Sequence, residues 1–331
     1  MWLSSLRHDA VSALLSSADP AVALFAARDL VGEAEFPIEN VWRLVTPQQI
    51  LRRQRDDGSW AGPRRKTAVY PENHTDLVTT FKQLRLLVER YEFTSAVPEM
   101  ARAAEYLLGF QTDEGDIRGF IANQYATYYT GYVLSLLIRA SCSEDARVDE
   151  GVRWLLSMRQ EDGGWSVPIL THHFDRETMY RLTSEYHHPV QPDRARPFSH
   201  NCTDMVLRAF AVHPGYRSSR EARKAGELLK SRFFRQDAYS FHKAARYWTR
   251  FIHWWPSLLT SLESLSLLGF GVDDPDMRGG LDWLIEHQGE DGLWYLSGED
   301  TGRPSSPRVE NERAWLTLRI CRILKRFLGE G

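Results

Sequence analysis

The 331-residue sequence predicts an all-α fold. Three observations carry the prediction. A segment made of an apolar helix end, a glutamine, acidic residues and a glycine recurs four times, in three copies with a tryptophan soon after, and recurrence over tens of residues marks a repeat architecture. Between the copies, apolar residues fall at helical spacing. β-branched alternation nowhere runs far enough to propose a sheet.

Residues 1–33 divide at Asp19-Pro20 into two helices that complete or cap the repeats. The first signature, ILRRQRDDGSWAG, starts at Ile50 and holds Gln54; the helix HTDLVTTFKQLRLLVERY follows from His74, with Leu77, Val78, Phe81, Leu84, Val88 and Tyr91 on one stripe. The second starts at Tyr106 and holds Gln111, and its inner helix, YATYYTGYVLSLLIRA from Tyr125, is apolar almost all round, as expected of a helix packed on two sides. The third, WLLSMRQEDGGWSVP from Trp154, holds Gln160 and leads to CTDMVLRAFAV from Cys202. Residues 222–236 read as the outer helix of a copy without the signature, and PSLLTSLESLSLLGFG from Pro256 as its inner helix. The last, WLIEHQGEDGLWYLSG from Trp283, holds Gln288 and leads into ERAWLTLRICRILKRF from Glu312. Such pairs can stack as an open solenoid or close into a ring. A single domain over 1–331 is expected.

Composition excludes several functions. With 41 basic against 44 acidic residues and a net charge of −3, no global field draws nucleic acid or an anionic membrane. Three cysteines argue against a disulfide framework and for a reducing, cytoplasmic setting. Arg7, His8 and Asp9 interrupt the run a signal peptide needs, and no stretch reaches the ~18 apolar residues of a membrane span. The 11 Trp, 13 Tyr and 15 Phe exceed what a core of this size requires.

The Gln-acidic-Gly-Trp turns resemble the QW motif of squalene-hopene cyclases and the related repeats of protein prenyltransferase β subunits, over about residues 40–328. The resemblance implies an (α/α) toroid of five to six helix pairs, with inner helices around an aromatic-lined cavity and an isoprenoid or other long apolar substrate. It also implies a structural turn, with glutamine and acidic side chains bonding helix-terminal backbone and tryptophan packing over the next pair.

Squalene-hopene-type cyclases protonate an alkene with an Asp-x-Asp-Asp motif at an inner-helix start. This sequence has none, and Asp273-Asp274-Pro275-Asp276 reads as the first turn of an outer helix. The candidate acids are therefore Asp76 and Asp204, where desolvation raises a carboxyl pKa and a helix N-terminus lowers it. Prenyltransferases hold zinc with Asp, Cys and His at inner-helix starts. Matching Asn73-His74-Thr75-Asp76 to Ser199-His200-Asn201-Cys202-Thr203-Asp204 through Thr75 and Thr203 makes His74, His200 and Cys202 candidate zinc ligands. Helix capping by the threonines and aspartates is the competing role. Tyr125, Tyr128, Tyr129, Phe198, Trp248, Trp254 and Trp255 are the candidate substrate wall, since aromatic faces stabilise cations and line apolar pockets; ordinary packing is the alternative for each ring.

Residues 166–199 make a connection far longer than the others, as expected of a lid. It carries His172, His173, His187 and His188, which can meet a metal or phosphate. Its Arg194 and Arg196, with Arg64, Arg65 and Lys66 of the first connection, can meet a diphosphate. Two other classes fit a toroid: a non-catalytic protein binding an apolar molecule or partner protein, and a polysaccharide lyase or glycosidase, which the Gln-acidic-Gly-Trp turns oppose. A second subunit, which prenyltransferase β subunits need, finds no patterned surface among the charges of the outer helices.

Overall fold

The computed structural model describes residues 2–32, 36–63, 73–184, 187–239, 242–251, 254–297 and 306–329. Its helices are α1 (Ala10–Leu15), α2 (Pro20–Ala26), α3 (Glu39–Trp42), α4 (Val45–Leu51), α5 (His74–Tyr91), α6 (Pro98–Leu108), α7 (Thr127–Arg139), α8 (Ala146–Ser157), α9 (Arg176–Leu182), α10 (His200–Val212), α11 (Arg220–Lys230), α12 (Leu258–Leu267), α13 (Pro275–Glu286) and α14 (Pro307–Leu328). Among the described residues the one strand is Phe120–Asn123, so the fold is all-α as expected. No described helix is long and apolar enough to cross a membrane.

Local chemistry sets the helix starts. The side chains of Asp9, Asp19, Asp145, Asp175 and Asp274 accept the first backbone N–H groups of α1, α2, α8, α9 and α13, and Ser199 and Ser306 do so for α10 and α14. Ser257 and Thr260 form a capping box on α12. Two boundaries differ from the sequence pattern. The helix expected over 222–236 ends at Lys230, and Phe234 beyond it has φ 59°, in the left-handed region. The last inner helix begins at Pro307 rather than Glu312, because Ser306 caps it and proline suits the first helical position.

The chain divides into two compact units. Unit 1 comprises Met1–Leu44, Lys230–Gln236 and Ala244–Gly331, and unit 2 Val45–Leu229 and Asp237–Lys243. In unit 2 the most extensive helix contact joins α7 to α10. Gly131 permits it, since a Cβ there would stand 2.6 Å from Val206 Cα. In unit 1, α1, α2 and α12 pack against α14. The Phe25 ring lies 6.2 Å from Trp315 and under the guanidinium groups of Arg28 and Arg322, at 4.7 and 4.9 Å, while Trp315 Nε1 donates to Asp19 Oδ2 at 2.9 Å.

The repeated turns share one bonding scheme. Gln54, Gln111 and Gln288 each donate from Nε2 to the carbonyl of the turn's glycine, at 3.0, 2.8 and 2.9 Å. Each also donates to a carbonyl of the next outer segment, Glu99, Arg147 or His8. These acceptors are carbonyls at helix starts rather than the orphaned helix-terminal groups expected from the sequence. The third copy is shifted: Arg159 occupies the glutamine's place and donates from Nε to Gly163 O at 3.1 Å. Gln160, one residue on, reaches Asp193 O and Arg196 O of the long connection instead. Asp57, Asp162 and Asp291 accept the backbone N–H two residues on, at 2.9, 3.0 and 3.1 Å.

Each tryptophan is buried and tied at both ends. Nε1 of Trp60, Trp165 and Trp294 donates to the carbonyl ten residues earlier, Ile50, Leu155 or Leu284, at 2.8, 2.6 and 2.7 Å. Its backbone N–H donates to a threonine Oγ1 of the following inner helix, Thr80, Thr203 or Thr317, at 3.0, 2.9 and 3.0 Å. Ile117, which stands for the missing tryptophan of the second copy, donates likewise to Thr130 at 3.1 Å. Thr80, Thr130, Thr203 and Thr317 are thus equivalent positions of α5, α7, α10 and α14.

Candidate functional site

That register corrects the sequence match. Thr203 corresponds to Thr80, not Thr75, so His74 and Cys202 are not counterparts and neither are Asp76 and Asp204. The reason is physical: the turn selects the threonine that reaches its backbone N–H, and nothing in the local sequence marks which one does.

Asp204 follows the anchoring threonine of α10, where α5, α7 and α14 carry Phe81, Gly131 and Leu318. It is fully buried, and its Oδ2 accepts from Arg208 Nη2 at 2.6 Å and Nε at 3.1 Å. Arg208 lies over the Tyr132 ring at 4.4 Å, Tyr132 donates its hydroxyl to Glu89 Oε1 at 2.6 Å, and Arg85 stands 3.3 Å from Glu89 Oε2. Burial and the neighbouring Glu89 push the Tyr132 hydroxyl well above its usual pKa, so it stays a donor. Asp204 thus belongs to a buried network joining α5, α7 and α10.

Asp76 is half-buried. It accepts from Gly62 N at 2.7 Å and from Arg55 Nη1 at 2.6 Å, tying the start of α5 to its turn. The equivalent place in α14 is Arg313, which pairs with Asp291 of its own turn at 2.8 Å. The charges are exchanged and the link is the same.

The candidate zinc ligands do not assemble. His74 Nδ1 donates to Gly119 O at 2.8 Å. Thr127 Oγ1 donates to Ser166 O at 2.7 Å, which leaves it to accept from Cys202 Sγ at 3.1 Å. Burial pushes the Cys202 thiol up to about 12, so it is a protonated donor to Thr127. Among the described residues no group of three His, Cys, Asp or Glu side chains is placed to hold a metal. These residues do not fit zinc.

His200 lies instead beside a carboxylate that sequence reasoning missed. Asp237 is buried and accepts from Ser199 Oγ at 2.7 Å, Asn201 Nδ2 at 2.8 Å, and the backbone N–H groups of His200 at 3.1 Å and Ala238 at 2.8 Å. His200 Nδ1 lies 3.7 Å from its Oδ1. No motif marked Asp237, which falls just past the signature-less outer helix. Arg208, four residues after Asp204, was findable from i,i+4 spacing.

The candidate wall residues fall in both units. In unit 2, Tyr129 stacks on Phe120 at 4.0 Å and 9°, with Phe81 5.3 Å and Tyr128 4.6 Å away. Tyr125 is buried, donates to Glu114 Oε2 at 2.6 Å and accepts from Gln191 Nε2 at 3.0 Å. Phe198 is half-buried against Gly164, where a Cβ would meet it at 2.5 Å. In unit 1, Trp248 is buried with Nε1 on Arg235 O at 2.9 Å, and Trp254 and Trp255 meet edge to face at 5.5 Å. An open pocket of about 310 Å³ in unit 2 and a groove of about 830 Å³ in unit 1 are lined by none of these candidates.

The long connection is strapped down. Gln124 donates to Leu182 O and His188 O and accepts from Val190 N, and Asn123 donates to His187 O. His172 contacts Gln191 O, Arg196 pairs with Asp193, and Arg194 donates to Ser157 O. Arg64, Arg65 and Lys66 lie outside the described residues.

A family model of the squalene-hopene cyclase C-terminal domain matches residues 144–312. The chain belongs to this family. The match takes in Phe198, His200, Cys202, Asp204, Asp237, Trp248, Trp254 and Trp255, and leaves His74, Asp76, Tyr125, Tyr128 and Tyr129 outside. A squalene-hopene cyclase of Bradyrhizobium diazoefficiens is 26% identical over 188 residues, 53% of this chain and 26% of the relative. The chain therefore spans about a quarter of that relative's length. Similar solved structures include a protein from Actinoplanes, with TM-score 0.44, 16% identity and 98% and 89% of the two chains covered. The type II terpene cyclase MstE from Scytonema has TM-score 0.34 and 15% identity, covering 87% and 97%. A variant of that cyclase in complex with geranylgeranyl dihydroxybenzoate has TM-score 0.37 and 13% identity, covering 88% and 98%. This family member has no Asp-x-Asp-Asp motif, and both of its sequence-predicted acids sit in arginine ion pairs.

Proposed function

We propose that the protein is terpenoid-cyclase-like in what it holds: a long apolar isoprenoid against the aromatic group of α5 and α7. The observation that carries this reading is the cluster of Phe81, Phe120, Tyr128 and Tyr129, which begins one residue after Thr127, the partner of Cys202. Family membership supports it, and the ligand named for the MstE variant is of the same chemical class. The ion pair of Asp204 with Arg208 and the hydrogen bond of Cys202 with Thr127 support a structural role for both. Three free cysteines support a reducing, cytoplasmic setting.

A second reading, acid-initiated cyclisation with Asp76 as proton donor, has one observation in its favour. The side chain of Arg55, its partner, is 46% exposed and can turn into water, whereas the Arg208 that holds Asp204 is buried. One experiment separates the two. The protein is incubated with farnesyl diphosphate, geranylgeranyl diphosphate and squalene, binding is followed by tryptophan fluorescence, and extracts are read by gas chromatography–mass spectrometry. Saturable binding without new products supports the first reading. Cyclised product lost in Asp76→Asn supports the second. Absence of binding to all three sinks both.

A further inference from the structure

Between α11 and α12, unit 1 runs from the last residue of α11 over Lys230–Gln236 and then over Ala244–Phe251, which holds a 3-10 turn at Ala245–Thr249. This stretch holds Lys230, Arg232, Arg235, Arg246 and Arg250 and no acidic residue, in a protein of net charge −3. Lys230 is neutralised by Asp274 and Asp276, at 2.8 and 3.5 Å. None of the four arginines takes part in an ion pair among the described residues. Arg235 and Arg246 are exposed, Arg232 donates to Gln236 O at 2.7 Å, and Arg250 Nε is buried without a hydrogen-bond partner.

Aromatic rings lie among these cations, with Phe233 and Trp248 buried beneath and Phe234, Tyr247, Phe251 and Trp283 partly exposed. The guanidinium groups of Arg246 and Arg250 both lie near the Tyr247 ring, at 5.7 and 5.4 Å. Its neighbour Trp248 bonds Arg235 O and meets Phe233 at 5.2 Å. Phe234 continues the run to Trp283 at 6.3 Å, and Trp283 meets Phe251 at 6.0 Å and stacks on the exposed His287 at 3.9 Å. Phe234 is itself unusual: φ is 59°, where a bulky side chain is disfavoured, and the ring is 38% exposed. The backbone holds a phenylalanine in a costly conformation and turns it outward.

We propose that this surface docks an acidic, aromatic-bearing segment of a partner protein. Its free cations are all arginine, interleaved with Tyr, Trp and Phe, which is the composition of protein interface hot spots. Guanidinium groups grip carboxylates bidentately and stack on rings, which an ammonium does not do. Guanidinium groups grip phosphate as well as carboxylate, so the choice of a protein segment rests on the outward Phe234 and the partly exposed rings beside it, which suit the apolar side chains of an interface core. The sequence expectation of no partner surface looked at the outer helices, and this one lies on a connection between helices.

The test uses the full chain and a fluorescein-labelled peptide of alternating glutamate and tyrosine, followed by anisotropy. Phosphatidylglycerol vesicles and duplex DNA are assayed in parallel. The expected result is saturable peptide binding, weaker at high salt, reduced at least tenfold by Arg246→Glu with Arg250→Glu and also reduced by Phe234→Asn. Arg278→Glu, an exposed arginine of α13, is expected to leave it unchanged. Peptide affinity that ignores the double reversal overturns the proposal, and so does binding to vesicles or DNA without binding to the peptide. If the double reversal unfolds the chain, Arg235→Gln with Arg246→Gln, both exposed, replaces it. Isoprenoid binding is a separate readout, so either conclusion can fail alone.

Discussion

Asp204 shows how position decides what a carboxylate is for. Read as a residue near a helix start, it is a candidate acid. Placed one residue after the threonine that anchors its turn, it occupies a core position, where Arg208 pairs with it. Removing one partner leaves the other charge buried, so Asp204→Ala is expected to cost about 3–5 kcal/mol in urea denaturation. Asp204→Leu with Arg208→Met, which removes both charges, should recover much of that loss. A fully stable Asp204→Ala would detach the residue from the fold and reopen a catalytic role. The pairing was within reach of the sequence, because Arg208 follows by four residues on a helix. Asp237 was not, since the carboxylate that collects Ser199, His200 and Asn201 arrives from 36 residues away or more.

At the scale of the element, the turns were legible because their chemistry is local. Gln54, Asp57, Gly58 and Trp60 lie within seven residues and each does its work inside the turn or one helix away. What was hidden is the partner outside that window: Thr80 lies 20 residues past Trp60, and Thr203 38 residues past Trp165. The shift that puts Arg159 in the glutamine's place is masked in the sequence because Gln160 sits beside it. The glycines carry the turn's cost. Gly58 and Gly163 have φ of 87° and 107°, but a Cβ on Gly58 would stand 2.2 Å from the Arg102 carbonyl oxygen, while one on Gly163 meets the flexible stem of Lys224 at 2.8 Å. Gly163→Ala is therefore expected to lose about 1–2 kcal/mol, for the left-handed backbone alone. Gly58→Ala adds overpacking against backbone and should lose about 1–3 kcal/mol more. Equal unfolding midpoints for the two variants would mean that α6 gives way freely.

For the whole molecule, the notable bond is made by Gln288. Its Oε1 accepts the N–H groups of Arg7 and His8, and its Nε2 donates to His8 O, across about 280 residues of sequence. A side chain that ties part-buried backbone groups of Arg7 and His8 to its own turn is expected to matter: Gln288→Ala should cost about 1–3 kcal/mol. Limited proteolysis should then cut first between residues 2 and 32, and a variant cut elsewhere first would show that α1 and α2 are held by apolar packing alone. The sequence placed these helices at the start of the repeats but could not say that α14 would receive them. That arrangement has a consequence for synthesis. Unit 2 is drawn almost entirely from the continuous run Val45–Leu229, so its partners emerge from the ribosome in order. Unit 1 has α1 and α2 at one end and α14 at the other. At 5–20 residues per second they wait on the order of 15 to 60 s for the surface that buries them. Through that interval Phe25, Leu14 and Val22 are exposed to whatever else is nearby, and a segment made before unit 2 finds its place only after unit 2 is complete.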